Sequence, residues 1–156
     1  MTPSHRLVRD LMTRRVAVLH EEENLALAEQ GMNEYRFRHL PVVEGDKLIG
    51  LVTEHDLLRA SISSLDADQA LRDDNLKRYI FVREVMTLDV ITVRPDTLLV
   101  DAAQLLWEKK LGCLPVTEED GTLVGMVTQS DFLGLAAAFL REREVLGNSG
   151  IQATSG

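Results

Sequence analysis

The chain has 156 residues, about the size of one ordinary domain, and its 45% hydrophobic and 27% charged residues are typical of a globular protein. The chain has 17 basic and 25 acidic residues, so its net charge is -8. This negative charge argues against binding to nucleic acid or to an anionic membrane surface. The single cysteine, Cys113, excludes an intramolecular disulfide and a cysteine-cluster metal site. The N-terminus lacks an apolar signal segment and the longest apolar run is too short to span a bilayer, so we expect a cytoplasmic protein.

The first half of the chain predicts the element order β-α-β-β-α. In chain order these elements are an extended stretch at Val16–Leu19, a helix with Leu25, Ala28 and Met32 on one face, strands at Leu40–Val43 and Leu48–Thr53, and a helix beginning near Asp56. The turn Gly45-Asp46 between the two strands indicates a hairpin.

The second half repeats the first. Residues 8–44 align with 82–118, residues 48–58 align with 123–133, and 19 of these 48 positions are identical. The extra residue of the second copy falls in the Asp120-Gly121 hairpin turn, which is typical of a duplicated small domain. One copy of about 50 residues is marginal alone, so we expect the two to pack sheet to sheet. The predicted boundaries are 8–64 for repeat one, 65–81 for the linker, 82–146 for repeat two and 147–156 for a disordered tail.

Two polar pairs recur where a hairpin strand ends and a helix begins: Thr53 with Asp56, and Thr128 with Asp131. The threonine hydroxyl can donate and accept hydrogen bonds, and the carboxylate can accept two from a vicinal diol such as a ribose. The alternative role is helix capping, with threonine at the N-cap and aspartate in the first turn. The residues alone leave both roles open.

Three motifs appear in the same order in each copy. They are Val8–Thr13 and Val82–Thr87 at the opening, His39–Val43 and Cys113–Val116 on the middle strand, and Gly50–Asp56 and Gly125–Asp131 at the end. Together they resemble a tandem pair of cystathionine β-synthase (CBS) domains, a Bateman module. The resemblance implies an α/β (α+β) fold in which two β-α-β-β-α repeats pack sheet to sheet with pseudo-two-fold symmetry and form two clefts.

The resemblance also implies a ligand that contains adenosine: AMP, ADP, ATP, S-adenosylmethionine or a nicotinamide dinucleotide. In such pairs the aspartate holds the ribose hydroxyls, the threonine contacts ribose or phosphate, and the base lies against the opening strand and the middle-strand proline. Carried over, one cleft comprises Thr53, Asp56, Val16, Ala17, Val18, His39, Leu40 and Pro41, and the other comprises Thr128, Asp131, Val90, Ile91, Thr92, Cys113, Leu114 and Pro115.

The two copies differ in their cationic residues. The first copy carries Arg14, Arg15, Arg36, Arg38 and His39, whereas the second has Leu88-Asp89 in place of the first two arginines, and Lys109 and Lys110 followed by Leu111-Gly112-Cys113 before its proline. This difference predicts one cleft that binds phosphate better, through Arg38 or His39. The alternative is that these residues are solvated surface charges, and the sequence does not decide which cleft they serve.

Other candidate sites are weaker. Neighbouring side chains of Glu54-His55-Asp56 diverge at a helix start, so we predict no metal site there. Cys113 lies on an apolar strand and is expected to be a buried structural thiol, and Trp107 is expected in the core or an interface. Because the chain lacks a Rossmann fingerprint, a P-loop and a nucleophile elbow, we predict no catalytic residues and no enzyme.

The last helix predicts self-association. Its first two turns, Phe132–Leu140, are apolar on nearly every side, and such a helix is buried on more than one side. By resemblance, CBS pairs dimerise through these helices, so we expect a homodimer with residues 132–146 at the interface.

The sequence therefore predicts a stand-alone regulatory module. It binds an adenosine-containing ligand between the repeats and signals by conformational change to an effector protein that the sequence does not identify. The alternative function is a structural homodimerisation module with no bound nucleotide.

Overall fold

The computed structural model describes residues 6–35, 37–63 and 77–151. The first copy contains α1 (Val8–Leu11), β1 (Leu19–His20), α2 (Leu25–Tyr35), β2 (His39–Glu44), β3 (Lys47–Thr53) and α3 (Glu54–Ser63). The second contains a 3-10 turn (Val82–Glu84), α4 (Leu99–Lys109), β4 (Cys113–Thr117), β5 (Leu123–Thr128) and α5 (Gln129–Ile151). Most of the predicted linker and Arg36 lie outside the described residues.

The predicted element order is confirmed, with shorter opening strands. β1 runs parallel to β2, which pairs antiparallel with β3, whereas in the second copy Val93 alone bridges in parallel to β4 beside the β4–β5 hairpin. Only residues next to a strand backbone can join the ladder. The remaining residues of the two predicted opening strands, 16–18 and 90–92, have irregular backbone. Gly45 and Gly121 adopt φ values of 62° and 88° in the hairpin turns, where a Cβ would be strained.

Each copy's core is closed by the opening segment of the other copy. We call residues 7–13 and 81–87 the opening segments. Val8 and Met12 pack with Leu114 and Val127 of the second copy, while Val82 and Met86 pack into the core of the first. This exchange interlocks the two repeats and gives the fold its pseudo-two-fold symmetry.

Backbone hydrogen bonds fix both crossings. Thr13 and Met126 exchange N–H···O bonds of 2.8 and 3.0 Å, and Thr87 and Leu51 exchange bonds of 2.8 and 3.0 Å. A Cβ at Gly125 would lie 2.7 Å from the Met12 sulfur. Gly50 stands in the same relation to Met86, at 2.6 Å. The repeated glycine of the third motif therefore provides the space through which the opposite segment passes.

The hairpin tips of the two copies also meet. The Lys47 ammonium lies 2.7 Å from a carboxylate oxygen of Asp120 and donates to the Thr122 hydroxyl at 3.1 Å. Leu48 N–H donates to the carbonyl of Gly121 at 3.1 Å. The hydrogen bond from Lys47, helped by Thr122, holds the pKa of the Asp120 carboxyl well below its usual range. These contacts hold the tips of the two sheets together.

Two sequence-based expectations, one for the last helix and one for Trp107, need correction. α5 continues to Ile151, so the segment 147–151 is helical although disorder was predicted from residue 147. Each residue added to an existing helix gains a backbone hydrogen bond, which carries the helix past the Gly/Ser-rich composition that suggested disorder. Trp107 is 83% exposed and is therefore not a core residue, because it lies on the outer face of α4. Among the described residues, no helix is both long and apolar enough to cross a membrane.

Replacing Gly125 with alanine is expected to destabilise the fold by about 1–3 kcal/mol, because the new methyl group would press on the Met12 sulfur and the Thr13 carbonyl oxygen. Urea unfolding followed by circular dichroism measures this change. Gly134→Ala is the matched control, since a Cβ on this α5 glycine meets nothing within 4 Å, and it should stabilise the helix by up to about 1 kcal/mol. Equal effects of the two substitutions would contradict the tight crossing.

Candidate functional site

A small cavity lies between the two copies, where the chain after α1 runs past the end of β5. Its volume is about 80 Å³. It is lined by Thr13, Arg15, Val16, Ala17, Phe37, Arg38, His39, Met126 and Thr128. Because both copies contribute lining residues, the shape of the cavity depends on how the two copies are placed relative to each other.

The cavity combines the predicted site residues differently from the sequence-based grouping. Val16, Ala17 and His39 were grouped with Thr53, but the residue that shares their cavity is Thr128. The crossing of the opening segments is the reason. Because Thr13 pairs with Met126 on β5, the residues that follow Thr13 lie beside the end of β5 rather than the end of β3.

Both threonine–aspartate pairs cap helices, the role that the sequence left open beside ligand binding. The Asp56 N–H donates to the Thr53 hydroxyl at 3.1 Å, and the Thr53 N–H donates to Asp56 Oδ2 at 2.9 Å. In the second copy the Thr128 N–H and hydroxyl both donate to Asp131 Oδ2, at 2.9 and 3.3 Å. α3 and α5 consequently begin directly after the threonines, two residues before Asp56 and Asp131.

Capping uses only one oxygen of each aspartate. Among the described residues, no hydrogen bond engages Oδ1 of Asp56 or of Asp131. Both side chains are half-buried. A carboxylate fixed through Oδ2 presents Oδ1 at a set position, which suits it to accept a hydrogen bond from a ligand hydroxyl. Capping and ligand binding are thus compatible roles of the same residue.

Several predicted site residues are buried in the strands. Leu40 and Leu114 belong to the two cores, and the middle-strand residues Pro41 and Pro115 are fully buried. The side chains of these four residues are therefore not exposed to a ligand. Cys113 is buried as predicted, and burial raises the pKa of its thiol to about 12, so it stays protonated and unreactive.

The remaining predicted residues lie on the irregular opening stretches. Val18, Ile91 and Thr92 are exposed, and Val90 is half-buried. None of these four lines the cavity of the first opening stretch. Among the described residues, no three His, Cys, Asp or Glu side chains cluster closely enough to hold a metal ion.

His39 is the half-buried member of the cationic group. A Cβ at Gly112 would lie 2.6 Å from the imidazole ring, so the ring fits only because this residue of the second copy is glycine. Burial, followed by the nearby Arg38 guanidinium, lowers the pKa of His39 below 6.5, against the opposing charges of Asp56 and Glu54. The imidazole is therefore neutral at pH 7 and can donate one hydrogen bond and accept another.

The two cavity arginines are exposed and weakly engaged. Arg38 Nε lies 4.0 Å from a carboxylate oxygen of Glu54, with both side chains exposed, and such surface pairs contribute little. Arg15 is also exposed at the cavity. Arg14 does not line the cavity and instead donates to the Arg9 carbonyl at 3.4 Å. Arg15 and Arg38 are thus the guanidinium groups available to an anion.

Three cavity residues were missed by the sequence reasoning: Thr13, Phe37 and Met126. Thr13 is identical to Thr87 in the other copy, so the repeat itself held a signal for it. Phe37 stacks on Tyr35 with ring centroids 6.2 Å apart and forms an aromatic wall. Met126 enters only through the crossing, which the alignment of the two copies does not reveal.

The matching positions of the other copy carry no cation. Asp89 stands where the first copy has Arg15, Gly112 stands at the position of Arg38, and Cys113 at that of His39. The two sides of the pseudo-two-fold axis therefore differ in charge, and the cavity beside Thr128 is the cationic one.

Two curated relatives illustrate the similarity of the sequence. A homoserine O-acetyltransferase from Methanohalobium evestigatum is 36% identical over 137 residues, which are 87% of this chain but 25% of that protein. A CBS domain-containing protein from Dictyostelium discoideum is 32% identical over 132 residues, 83% of this chain and 90% of that protein. The chain therefore spans only a quarter of the first relative and most of the second.

Solved structures match along most of their length. The Vibrio cholerae structure named AcuB, for acetoin utilization, is 34% identical with a TM-score of 0.75, covering 89% of this chain and 96% of that one. The structure of CBSX2 in complex with AMP is 33% identical, with a TM-score of 0.71, and covers 85% of this chain and 97% of that one. CBSX2 is a CBS-pair protein of Arabidopsis thaliana. The CBS pair of MJ0100, with 5'-methylthioadenosine and S-adenosylmethionine, is 25% identical with a TM-score of 0.71, covering 85% and 97%.

The repeat, the paired hairpins and the interlocked cores agree with one family model. The CBS domain model matches residues 8–63 and again residues 82–138, which is most of the chain and both copies. This chain belongs to the CBS domain family and contains a tandem pair of CBS domains.

Proposed function

We propose that this CBS pair is a regulatory module that binds an adenosine phosphate in the cleft beside Thr128. The observation that carries the proposal is the cavity shared by both copies, in which Arg15 and Arg38 from one copy face Thr128 from the other. The AMP complex of CBSX2 supports the ligand class.

Each part of such a ligand has a matching group at the cleft. The free Oδ1 of Asp131, next to Thr128, is suited to accept from the ribose hydroxyls. The Arg15 and Arg38 guanidinium groups are suited to the phosphate, with neutral His39 as a further donor. Val16, Ala17 and Phe37 offer apolar surface to the base. S-adenosylmethionine is the second candidate, supported by the MJ0100 complex, but its positive sulfonium is a poorer match for two arginines.

We expect binding to change the relative position of the copies. The cavity holds about 80 Å³, whereas sites for small molecules and cofactors typically hold ~300–1,000 Å³. A ligand that enters therefore stabilises a wider arrangement of the two copies, and this population shift is the signal available to an effector protein. The role proposed for this pair of CBS domains is ligand binding, which the AMP complex of CBSX2 supports.

We also propose that the chain forms a homodimer through its last helix. Leu133 and Leu140 on α5 are 72% and 61% exposed, and Trp107 on the adjacent α4 is 83% exposed. Large apolar side chains that share one face are typical of an interaction surface. A purely structural dimer with an unfilled cleft is the competing function, and the ligand experiments below separate the two.

Arg15→Ala is expected to weaken AMP binding by about tenfold or more, because it removes a charge-assisted hydrogen bond to the phosphate. Isothermal titration calorimetry measures the dissociation constant. Arg14→Ala removes the same charge one residue earlier, outside the cavity, and should leave the affinity within about twofold. If both variants bind AMP as the unchanged chain does, the phosphate does not lie beside Arg15.

Asp131→Asn is expected to weaken AMP binding by about tenfold or more, whereas Asp56→Asn leaves it nearly unchanged. The single oxygen of an asparagine would still cap the helix, so its amide group would meet the ribose and could not accept from it. Thermal unfolding should show similar stability of the two variants. The opposite order of affinities would place the ligand in the other cleft, and no AMP binding by the unchanged chain would favour the structural dimer.

Sedimentation equilibrium at micromolar concentration is expected to give twice the chain mass, because the exposed apolar face of α4 and α5 is covered by a second chain. A mass equal to one chain at that concentration would disprove the homodimer without affecting the ligand proposal.

A further inference from the structure

We propose that His39 makes the anion affinity of the cavity depend on pH, because proton uptake by its imidazole adds a third cation beside Arg15 and Arg38. This inference rests on the ligand proposed above and adds the regulation of that cleft. All three side chains line the same cavity. Arginine stays charged throughout the physiological range, so His39 is the one of the three whose charge changes near neutral pH.

The His39 ring reaches from one copy to the other. His39 begins β2 of the first copy, and its ring faces Gly112, which comes directly before β4 of the second. A Cβ at Gly112 would lie 2.6 Å from both Nε2 and Cε1 of the ring. Gly112 stands at the position of Arg38, and any side chain there would occupy the space of the imidazole. The position of the ring therefore depends on how the two copies are placed.

The loop against which the ring lies is fixed to the helix that begins at the cavity. Gln129 N–H donates to the Gly112 carbonyl at 3.1 Å, and the Gln129 side-chain amide donates to the Leu111 carbonyl at 3.0 Å. Gln129 is the first residue of α5 and directly follows Thr128. A movement of α5 therefore carries with it both the Thr128 wall of the cavity and the loop that holds the imidazole.

Charges of both signs in the first copy act on the ring. Burial and the Arg38 guanidinium lower the pKa of His39, while the Asp56 and Glu54 carboxylates at the start of α3 oppose them. The two lowering effects prevail, so the pKa lies below 6.5. Arg15, on the opening stretch, brings a further positive charge to the same cavity. An anion bound here would offset the two guanidinium charges that disfavour a protonated ring.

The second copy lines the cavity with the uncharged residues Met126 and Thr128. Behind Thr128, the Asp131 carboxylate accepts hydrogen bonds from the Thr128 N–H and hydroxyl. Lys110, two residues before Gly112, is exposed and does not line the cavity. Among the described residues, no hydrogen bond engages the nitrogens of His39, and both keep some exposed surface. A proton from solvent can therefore reach the ring.

A bound phosphate favours the protonated ring. Its negative charge raises the pKa of His39 from the lowered value in the free protein. The complex then holds more protons than the free protein, so AMP affinity rises as the pH falls through the pKa of the complex. The gain is complete below the pKa of the free protein. Each unit by which the phosphate raises the pKa corresponds to about a tenfold gain over this whole range.

Isothermal titration calorimetry with AMP at about pH 8 and about pH 5.5 tests this inference. The ratio of the affinity at the lower pH to that at the higher pH should be at least about threefold larger for the unchanged chain than for His39→Gln. The AMP phosphate itself takes up a proton near about pH 6, and comparing the two proteins cancels this contribution. His55→Gln is the matched control: His55 is exposed on α3, does not line the cavity and should keep the ratio of the unchanged chain.

Proton uptake is a readout that a purely structural His39 would not change. Titrations in buffers of different ionisation enthalpy count the protons taken up with each AMP, and His39→Gln should lower this count by up to about one. Gly112→Ala should lower it as well, because its methyl group displaces the ring from the cavity wall while the histidine remains in the chain. Gly134→Ala is the control, since its Cβ meets nothing within 4 Å, and it should leave the count unchanged.

The possible results separate this inference from the ligand proposal. If AMP binds but the unchanged chain and His39→Gln show the same affinity ratio and proton uptake, the inference is wrong and the ligand proposal stands. An equal loss in His55→Gln also overturns it. Absence of AMP binding at both pH values overturns the ligand proposal and this inference with it. Equal thermal unfolding midpoints show that the variants fold, and Gly112→Ala decides if His39→Gln does not.

Discussion

The exchange of opening segments between the copies is the constraint on which the rest of this structure depends. Val8 and Met12 fill the core under β4 and β5, and Val82 fills the core under β2 and β3. Each copy is too small to bury a sufficient core by itself, so the exchange supplies apolar surface that neither copy has. The same crossing places residues 15–17 of one copy beside the end of β5 and thereby creates the cavity.

The symmetry of the backbone is not matched by symmetry of charge. Both copies keep the threonine–aspartate pair, and in each copy it stabilises the start of a helix. Arg15 and Arg38 do not cap a helix, and the second copy has Asp89 and Gly112 at the equivalent positions. A duplicated scaffold can therefore hold one anion-binding cleft and one different cleft without any change in fold.

Sequence reasoning predicted the local structure because local spacing determines it. Leu25, Ala28 and Met32, placed on one helical face by their spacing, are all buried, and the hairpin turns carry glycine where φ is positive. The cavity groups the site residues differently from the sequence-based prediction, because the repeat shows which residues are equivalent, not which copy each one packs against. Thr128 joins Val16 only through a contact more than 100 residues apart in the chain, and no local pattern encodes such a contact.

The crossing also makes the two cores unequal during synthesis from the N-terminus. The core of the second copy uses Val8 and Met12, which are made long before β4 and β5 emerge. The core of the first copy waits for Val82, which follows its last helix. A first repeat without residue 82 therefore has an open core, whose apolar surface favours aggregation until the next segment packs against it.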